Sequence, residues 1–256
     1  MSQSREANNL SKVIKCWIYV PVADHDINDQ ADKWQEAQAV RWFGVKGVKR
    51  EYQIIKSQAA FASYVDSNLP TKVCLNKVEK NDILYVYCHG YLDPQSFNST
   101  REIGGLALIN KKHIEVRISP AQLVDHLHKA GLKADHKLLK LFSCYSSEIV
   151  CEISGLMQKK WPGIEIHGYK GETIPAGPNF SKLAGLTHKE AELYSSLDEE
   201  ITNKVNNGDF KAKAHRVEYK SGQLLNKDLS DSKEEAVSEE KILNDLLSEG
   251  VAKLKL

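Results

Sequence analysis

Four apolar runs predict that the interior of this chain is a buried sheet. Val13–Val22 is rich in β-branched and aromatic residues, and Ile83–Tyr87, Leu138–Phe142 and Ile164–Tyr169 are shorter runs of the same kind. Strands that are covered on both faces lose the usual alternation of apolar and polar residues. The runs therefore indicate strands of a mainly parallel sheet with helices packed on each side.

Segments with a helical spacing of apolar residues separate these strands. Ser119-Pro120 is a start signal for one of them, because serine caps a helix and proline fits its first turn. Two short strands over 106–109 and 114–118, joined by a polar turn, predict a hairpin outside the main sheet. Helices are predicted over 29–43, 57–65, 120–130, 147–160 and 189–205, and a last strand over 214–219.

This order of elements predicts a doubly wound α/β fold, with a mainly parallel sheet, helices on both faces and a small β-hairpin. We assign residues 1–220 to this one domain. From Leu229 onward the sequence is charged, and Ile242, Leu243 and Leu246 stand at helical spacing. Residues 221–256 are therefore expected to form a charged helical tail.

The composition disfavours several classes of function. The chain of 256 residues has 35 Lys and Arg against 34 Asp and Glu, and this balance disfavours a nucleic-acid-binding protein. No apolar run is long enough to span a membrane, and Met1–Leu10 lacks the apolar core of a signal peptide. Five cysteines in a chain of this size indicate reduced thiols. We expect a cytoplasmic protein, or one delivered to a host cell by specialised secretion.

Two of the predicted strands end in residues that carry chemistry. His89-Gly90 follows the strand Ile83–Tyr87, and Cys144 follows the strand Leu138–Phe142. Ligands of open parallel sheets bind at the carboxyl ends of strands, so the two side chains are expected to meet if the strands are neighbours. A thiol and an imidazole are the groups of nucleophilic acyl transfer, in which a thiolate attacks and an imidazolium protonates the leaving group.

The motifs ILYVYCHG (83–90) and LLKLFSCYSS (138–147) resemble those of the caspase-like clan of cysteine peptidases, clan CD. In that clan an apolar strand ends in His-Gly, and a hairpin and a helix precede a second strand that ends in the nucleophilic cysteine. The order of elements is similar over Val13–Tyr219, and His89 precedes Cys144 by a caspase-like interval. The clostripain, gingipain and toxin self-processing branches are the most similar, because the chain is compact and its hairpin is short.

The resemblance implies a cysteine endopeptidase, a thiol protease that hydrolyses protein or peptide substrates. His89 would be the general acid and base, Cys144 the nucleophile, and the backbone N–H groups of Gly90 and Cys144 the oxyanion hole. It implies no metal and no organic cofactor. The helix predicted after Cys144 is expected to lower the pKa of its thiol and make it the most reactive of the five. Cys88 and Ser143 stand where the clan often has other small residues.

The resemblance also implies where the specificity pocket lies. In this clan the segment after the strand that follows the nucleophile helix shapes the primary pocket, which is 169–180 here. Glu172 is the only acid in that segment, and Asp93 is a second acid near the mouth of the site. A carboxylate in the pocket would favour Lys or Arg before the cleaved bond through charge-assisted hydrogen bonds.

Three other interpretations stay open. A non-catalytic caspase-like module that binds a protein partner would keep the fold without the reaction. A flavodoxin-like domain would need a phosphate-binding loop after the first strand, and Pro21–Asp26 has no glycine there. A zinc site would use Cys88, His89, Cys144 and His167, but these residues lack the usual spacing of zinc ligands.

Overall fold

The computed structural model describes residues 13–22, 24–39, 49–56, 73–91, 102–109, 112–175 and 182–225. The chain divides into two units, Met1–Leu225 and Asn226–Leu256, and every described residue belongs to the first. The predicted helix over 57–65 and nearly all of the predicted tail over 221–256 lie outside the described residues.

The described part of the first unit contains both strands and helices. The strands are β1 (Val13–Val20), β2 (Lys49–Lys56), β3 (Ile83–Tyr87), β4 (His89–Tyr91), β5 (Glu102–Ile109), β6 (Lys112–Ile118), β7 (Leu138–Phe142), β8 (Glu165–Tyr169), β9 (Glu172–Ile174), β10 (Leu183–Leu186), β11 (Arg216–Lys220) and β12 (Gln223–Leu224). The helices are α1 (His25–Ala39), α2 (Pro120–Lys129), α3 (Val150–Met157), α4 (His188–Ser195) and α5 (Glu199–Asn207), with short 3-10 helices at Ser146–Glu148 and Ala212–His215.

The main sheet has seven strands in the order β12–β11–β8–β7–β3–β1–β2. The five strands from β8 to β2 are parallel, and β11 and β12 complete one edge in antiparallel pairing. The prediction of an α/β fold with a mainly parallel sheet is therefore confirmed. From β1 the chain continues to β2 on one side and then crosses to β3 on the other side of β1. The strand order therefore reverses between β1 and β3.

Helices cover both faces of this sheet, which explains the unbroken apolar runs. On one face, α2 and α3 pack Leu127 and Ile153 against strand residues such as Leu84. On the other face, Trp34 of α1 is fully buried and its ring lies 5.1 Å from the ring of Tyr85. Successive residues of one strand serve opposite faces, so every position of β3 is apolar.

The predicted hairpin is confirmed, and it belongs to a second sheet. β5 and β6 pair in antiparallel register, and β4 adds a third strand to give the order β4–β5–β6. β4 begins at His89, two residues after β3 ends. The chain thus leaves the main sheet at Cys88 and enters the small sheet at the residue that sequence analysis singled out.

Several predicted elements differ from those observed. β2 is not predicted, because an edge strand with lysine, arginine and glutamate lacks the apolar pattern of a central strand. The single helix predicted over 189–205 is two helices, because Asp198 caps a new helix and Leu197 adopts a positive φ of 63°. The first helix begins at His25, earlier than predicted, because the carboxylate of Asp24 accepts a hydrogen bond from the Ile27 N–H.

One buried polar pair joins β1 to α2. The hydroxyl of Tyr19 hydrogen-bonds Nε2 of His126, and the two rings stack at 5.8 Å. Both residues are at most 2% exposed. Burial lowers the pKa of His126 to about 4, so the imidazole is neutral in the folded protein at pH 7.

We expect His126 to make the protein less stable in mild acid. Between about pH 6.5 and pH 4 the unfolded chain binds a proton at this imidazole that the folded chain does not. Stability therefore falls as the pH is lowered through this window, by about 3 kcal/mol once pH 4 is reached. Urea unfolding at pH 7 and pH 4.5 measures the change, which His126→Gln is expected to reduce by most of that amount.

His128→Gln is the matched control, because His128 lies on the same helix and is exposed. It should keep the pH dependence of the wild type. The same pH dependence in wild type and His126→Gln would contradict the assignment.

Candidate functional site

The candidate site lies where the strand order of the sheet reverses. β7, β3 and β1 are adjacent, and their carboxyl ends lead into Cys144, His89 and Asp24 respectively. In open α/β sheets the crevice at such a reversal is the usual binding site, because the connections on either side of it run to opposite faces. Three groups able to exchange protons are thus delivered to one crevice by three neighbouring strands.

A cavity of about 360 Å³ opens at this crevice. It contains three of the residues that sequence analysis proposed, namely His89, Cys144 and Glu172. Asp93 lies outside the described residues. Helices α1 and α4 both contribute to its walls, and their lining residues are Ile27, Gln30, Lys33, Ala191, Tyr194 and Ser195.

A hydrogen bond joins the two residues that precede the candidate pair. Sγ of Cys88 lies 3.3 Å from Oγ of Ser143, and both side chains are buried. These are the two positions at which the sequence departs from the caspase-like motifs, and they contact each other. Burial raises the pKa of Cys88 to about 12, so it remains a thiol. Its contact fixes the end of β3 against the end of β7.

The serine after Cys144 has a structural role. Oγ of Ser146 donates to the carbonyl of Leu141 at 2.7 Å and accepts from the N–H of Tyr169 at 2.9 Å. This residue therefore ties the end of β7 to the end of β8. The serine of the Cys-x-Ser motif is therefore explained by its two hydrogen bonds to the strand ends. The same bonds hold the turn after Cys144 in place.

The backbone after Cys144 differs from the helix predicted over 147–160. Tyr145 adopts a left-handed conformation with φ 55°, a 3-10 helix follows, and α3 begins only at Val150. Cys144 therefore does not lie in the first turn of an α-helix, where the helix dipole would favour a negative charge. The expected lowering of its pKa by a helix N-terminus is wrong.

The thiol of Cys144 is instead held in its neutral form. Burial raises its pKa to about 12, and the carboxylate of Glu172 adds to the increase. The N–H of Thr173 donates to the sulfur at 3.4 Å, and Oγ1 of Thr173 lies 3.7 Å from it, which offsets part of the effect. An unselective alkylating reagent is therefore expected to reach the exposed Cys151 before Cys144.

Asp24 places a buried carboxylate beside the imidazole of His89. Its Oδ2 lies 3.7 Å from Nε2 of His89, and its side chain is 5% exposed against 41% for the histidine. Oδ1 accepts the Ile27 N–H at the start of α1, so the carboxylate is anchored from the other side. A carboxylate in this position fixes the orientation of the imidazole.

Gly90 allows the two strand ends to approach closely. A side-chain carbon at this residue would lie 1.8 Å from the carbonyl oxygen of Cys144, far inside contact distance. Only glycine fits here, because the obstructing atom belongs to backbone. The Gly of the His-Gly motif is therefore required by backbone packing, whether or not its N–H binds an oxyanion.

The four residues of the zinc interpretation do not form one group. His167 lies within β8, where Nε2 is 2.5 Å from Oε1 of Glu165 and 3.6 Å from Oε1 of Glu218. Among the described residues, this trio alone has the geometry of a metal-ligand group. Arg216 also pairs with Glu218, and a guanidinium beside the carboxylate disfavours a cation there.

No protein-family model matches the chain, and a search of curated proteins finds no match. None of the described helices has both the length and the apolar character needed to cross a membrane.

Sequence analysis missed two residues of this site, Asp24 and Thr173. Asp24 stands just after β1, so the rule that identified His89 and Cys144 applies to it as well. Its neighbours His25 and Asp26 are also polar, and they hide its position at a strand end. Thr173 has no sequence signal, since its contact with Cys144 depends on how β9 folds back over the cavity.

We expect Gly90→Ala to disrupt the site. The new methyl group would overlap the Cys144 carbonyl, so β3 and β7 must separate at their ends, with a loss of stability of about 1 to 3 kcal/mol. Gly155→Ala is the matched control, because a side-chain carbon there meets nothing within 4 Å. It lies inside α3 and should stabilise the protein by about 0.5 to 1 kcal/mol. Thermal unfolding of both variants measures the contrast, and equal stability of the two would contradict the close approach.

Proposed function

We propose that this protein is a cysteine endopeptidase with a caspase-like fold. The observation that carries the proposal is the shared cavity of Cys144 and His89 at the ends of adjacent parallel strands, with the carboxylate of Asp24 at 3.7 Å from the imidazole. A nucleophile, a proton carrier and an orienting acid are the parts of a thiol hydrolase. The reaction class is hydrolysis of a peptide bond through an acyl-enzyme.

In the proposed mechanism His89 accepts the proton of the Cys144 thiol, and the thiolate attacks the substrate carbonyl. The backbone N–H groups of Gly90 and Cys144 hold the oxyanion of the tetrahedral intermediate. The His89 imidazolium then protonates the leaving amine, and a thioester to Cys144 remains. Water, deprotonated by His89, hydrolyses that thioester and restores the thiol. Because Asp24 contacts Nε2, we assign the proton transfers to Nδ1 of His89.

The strand order is compatible with a caspase-like fold, and the residues at the strand ends are the reason to prefer it over a flavodoxin-like one. The parallel strands β2–β1–β3–β7–β8 follow an order that flavodoxin-like sheets also have. A flavodoxin-like site would bind phosphate through a glycine-rich turn after β1, and residues 21–26 contain no glycine. The residues at the strand ends are a thiol, an imidazole and a carboxylate instead, which favours peptidase chemistry.

A second candidate function is a caspase-like module that binds a partner without cleaving it. The observation in its favour is the raised pKa of Cys144, because a neutral thiol is a poor nucleophile. The peptidase explains the buried Asp24 beside His89 better, since a binding surface has no need of an oriented imidazole.

We propose that Glu172 selects a basic residue before the cleaved bond. Its carboxylate lies in the same cavity as Cys144 and is 20% exposed. A lysine or arginine side chain that enters this cavity would form a charge-assisted hydrogen bond with it. The apolar wall formed by Ile174 and Pro175 would pack against the aliphatic part of such a side chain.

Cleavage of a positional peptide library tests the catalytic pair. Cys144→Ala removes the nucleophile and is expected to abolish cleavage. His89→Ala leaves the thiol but removes the proton donor, and we expect a loss of about 10²- to 10⁴-fold in kcat/KM. Full activity of Cys144→Ala would leave the binding module as the better function.

In the same assay, Asp24→Asn tests whether Asp24 positions His89, because the substitution keeps the hydrogen bond at the start of α1. Asparagine can still accept the Ile27 N–H at the start of α1, so we expect thermal stability to be retained. It lacks the charge that stabilises an imidazolium, and kcat should fall while KM stays close to the wild-type value. A change in KM alone would assign Asp24 to substrate binding.

The library also tests specificity. We expect enrichment of Lys and Arg before the cleaved bond, and its loss in Glu172→Gln, because the amide keeps the shape of the carboxylate without its charge. Glu192→Gln is the matched control, because Glu192 contacts the same histidine, His188, from α4 but does not line the cavity. No basic preference in the wild type, or the same preference in Glu172→Gln, would refute this pocket.

A further inference from the structure

The segment that carries Glu172 lies directly on the nucleophile. The Tyr145 N–H donates to the carbonyl of Gly171 at 2.7 Å, and the Thr173 N–H donates to Sγ of Cys144 at 3.4 Å. Two consecutive residues of the nucleophile turn are thus bonded to two residues of the segment 171–173. Glu172 lies between these two contacts, so its position relative to the thiol is set by backbone on both sides.

The carboxylate of Glu172 can act on the thiol and on a ligand at once. It lines the same cavity as Cys144, and its Oε1 lies 3.3 Å from Nδ1 of His188. Lys33 of α1 lines the same cavity but is exposed, so it does not neutralise Glu172 as a buried partner would.

We propose that Glu172 is a latch that couples recognition of a basic substrate side chain to activation of Cys144. In the resting site the carboxylate repels a thiolate. When the cationic side chain of a substrate pairs with Glu172, this repulsion is neutralised and the thiol can be deprotonated. This inference rests on the proposed function and adds to it a reason why the nucleophile is inactive without substrate.

The proton balance of the step is simple. The S–H bond of Cys144 breaks, its proton passes to the imidazole of His89, and the electron pair stays on sulfur. The resulting imidazolium faces the carboxylate of Asp24, and the thiolate no longer faces an uncompensated carboxylate. Both new charges thus have an opposite charge nearby, which a buried site requires.

A latch and an ordinary specificity pocket make different kinetic predictions. A pocket that only binds the basic side chain tightens binding and leaves the reactivity of the bound complex unchanged. A latch also raises the rate of the chemical step in the bound complex. The distinction is measurable with affinity labels that alkylate the thiol, and it does not require turnover of a peptide.

The experiment uses two peptidyl chloromethyl ketones that differ only in having arginine or citrulline next to the reactive carbon. Citrulline has nearly the shape of arginine but no charge. In both, the Cys144 thiolate displaces chloride from the methylene carbon and forms a thioether. The inactivation rate at saturating label, kinact, and the half-saturating concentration, KI, are measured separately for wild type, Glu172→Gln and Glu192→Gln.

We expect the arginine label to have a higher kinact than the citrulline label in the wild type. A fall of one pKa unit raises the thiolate fraction about tenfold, and the accompanying loss of nucleophilicity leaves a net gain of about threefold. In Glu172→Gln the citrulline label should react about threefold faster than in the wild type, and the advantage of arginine should disappear. Glu192→Gln should behave as the wild type, because Glu192 contacts His188 but not the thiol.

Two outcomes would overturn different parts of this account. If kinact is the same for both labels while KI differs, Glu172 is a binding residue only and the latch is wrong. If neither label modifies Cys144 in any variant, the proposed peptidase site itself is wrong. Thermal unfolding of Glu172→Gln, in which the amide can still contact His188, shows whether the variant is folded.

Discussion

The parallel pairing of β3 with β7 is the constraint on which the candidate site depends. Tyr87 lies opposite Phe142 at the ends of these strands, so the residues that follow must pass each other within a strand spacing. The hydrogen bond between Cys88 and Ser143 and the close approach at Gly90 both follow from this register. A shift of one residue in this pairing would remove both the hydrogen bond and the close approach, because it would turn each side chain to the opposite face.

The electrostatics of the cavity follow from the burial that this register imposes. Asp24 is buried, while Cys144, His89 and Glu172 each retain partial access to solvent. In such a place a thiolate is unfavourable unless a positive charge is close, and Glu172 makes it more so. In the proposed mechanism the thiolate forms only when a positive charge enters the cavity, so specificity and reactivity depend on the same residue, Glu172.

The elements that could be predicted from sequence are those whose residue pattern has a single structural explanation. The bounds of β3 and β7 were predicted correctly because a central strand is apolar on both faces, and Ser119 caps α2 as expected. The edge strand β2 and the break at Leu197 were not, because charge and a left-handed backbone depend on tertiary neighbours. The protonation state of Cys144 was wrongly predicted, since burial and a carboxylate 28 residues later in the sequence determine it.

The division of the strand ends between two sheets gives the candidate pair a mechanical property. His89 starts β4 and is paired with Gly104 in the small sheet, whereas Cys144 follows β7 of the main sheet. The imidazole and the thiol are thus attached to two different sheets, and Cys88 connects the two. The hairpin residues Ile103, Val116 and Ile118 belong to the same buried core cluster as Leu84 of β3. The packing of this hairpin on the core therefore fixes the position of His89 relative to Cys144, and under the proposed mechanism it sets the distance over which a proton must travel.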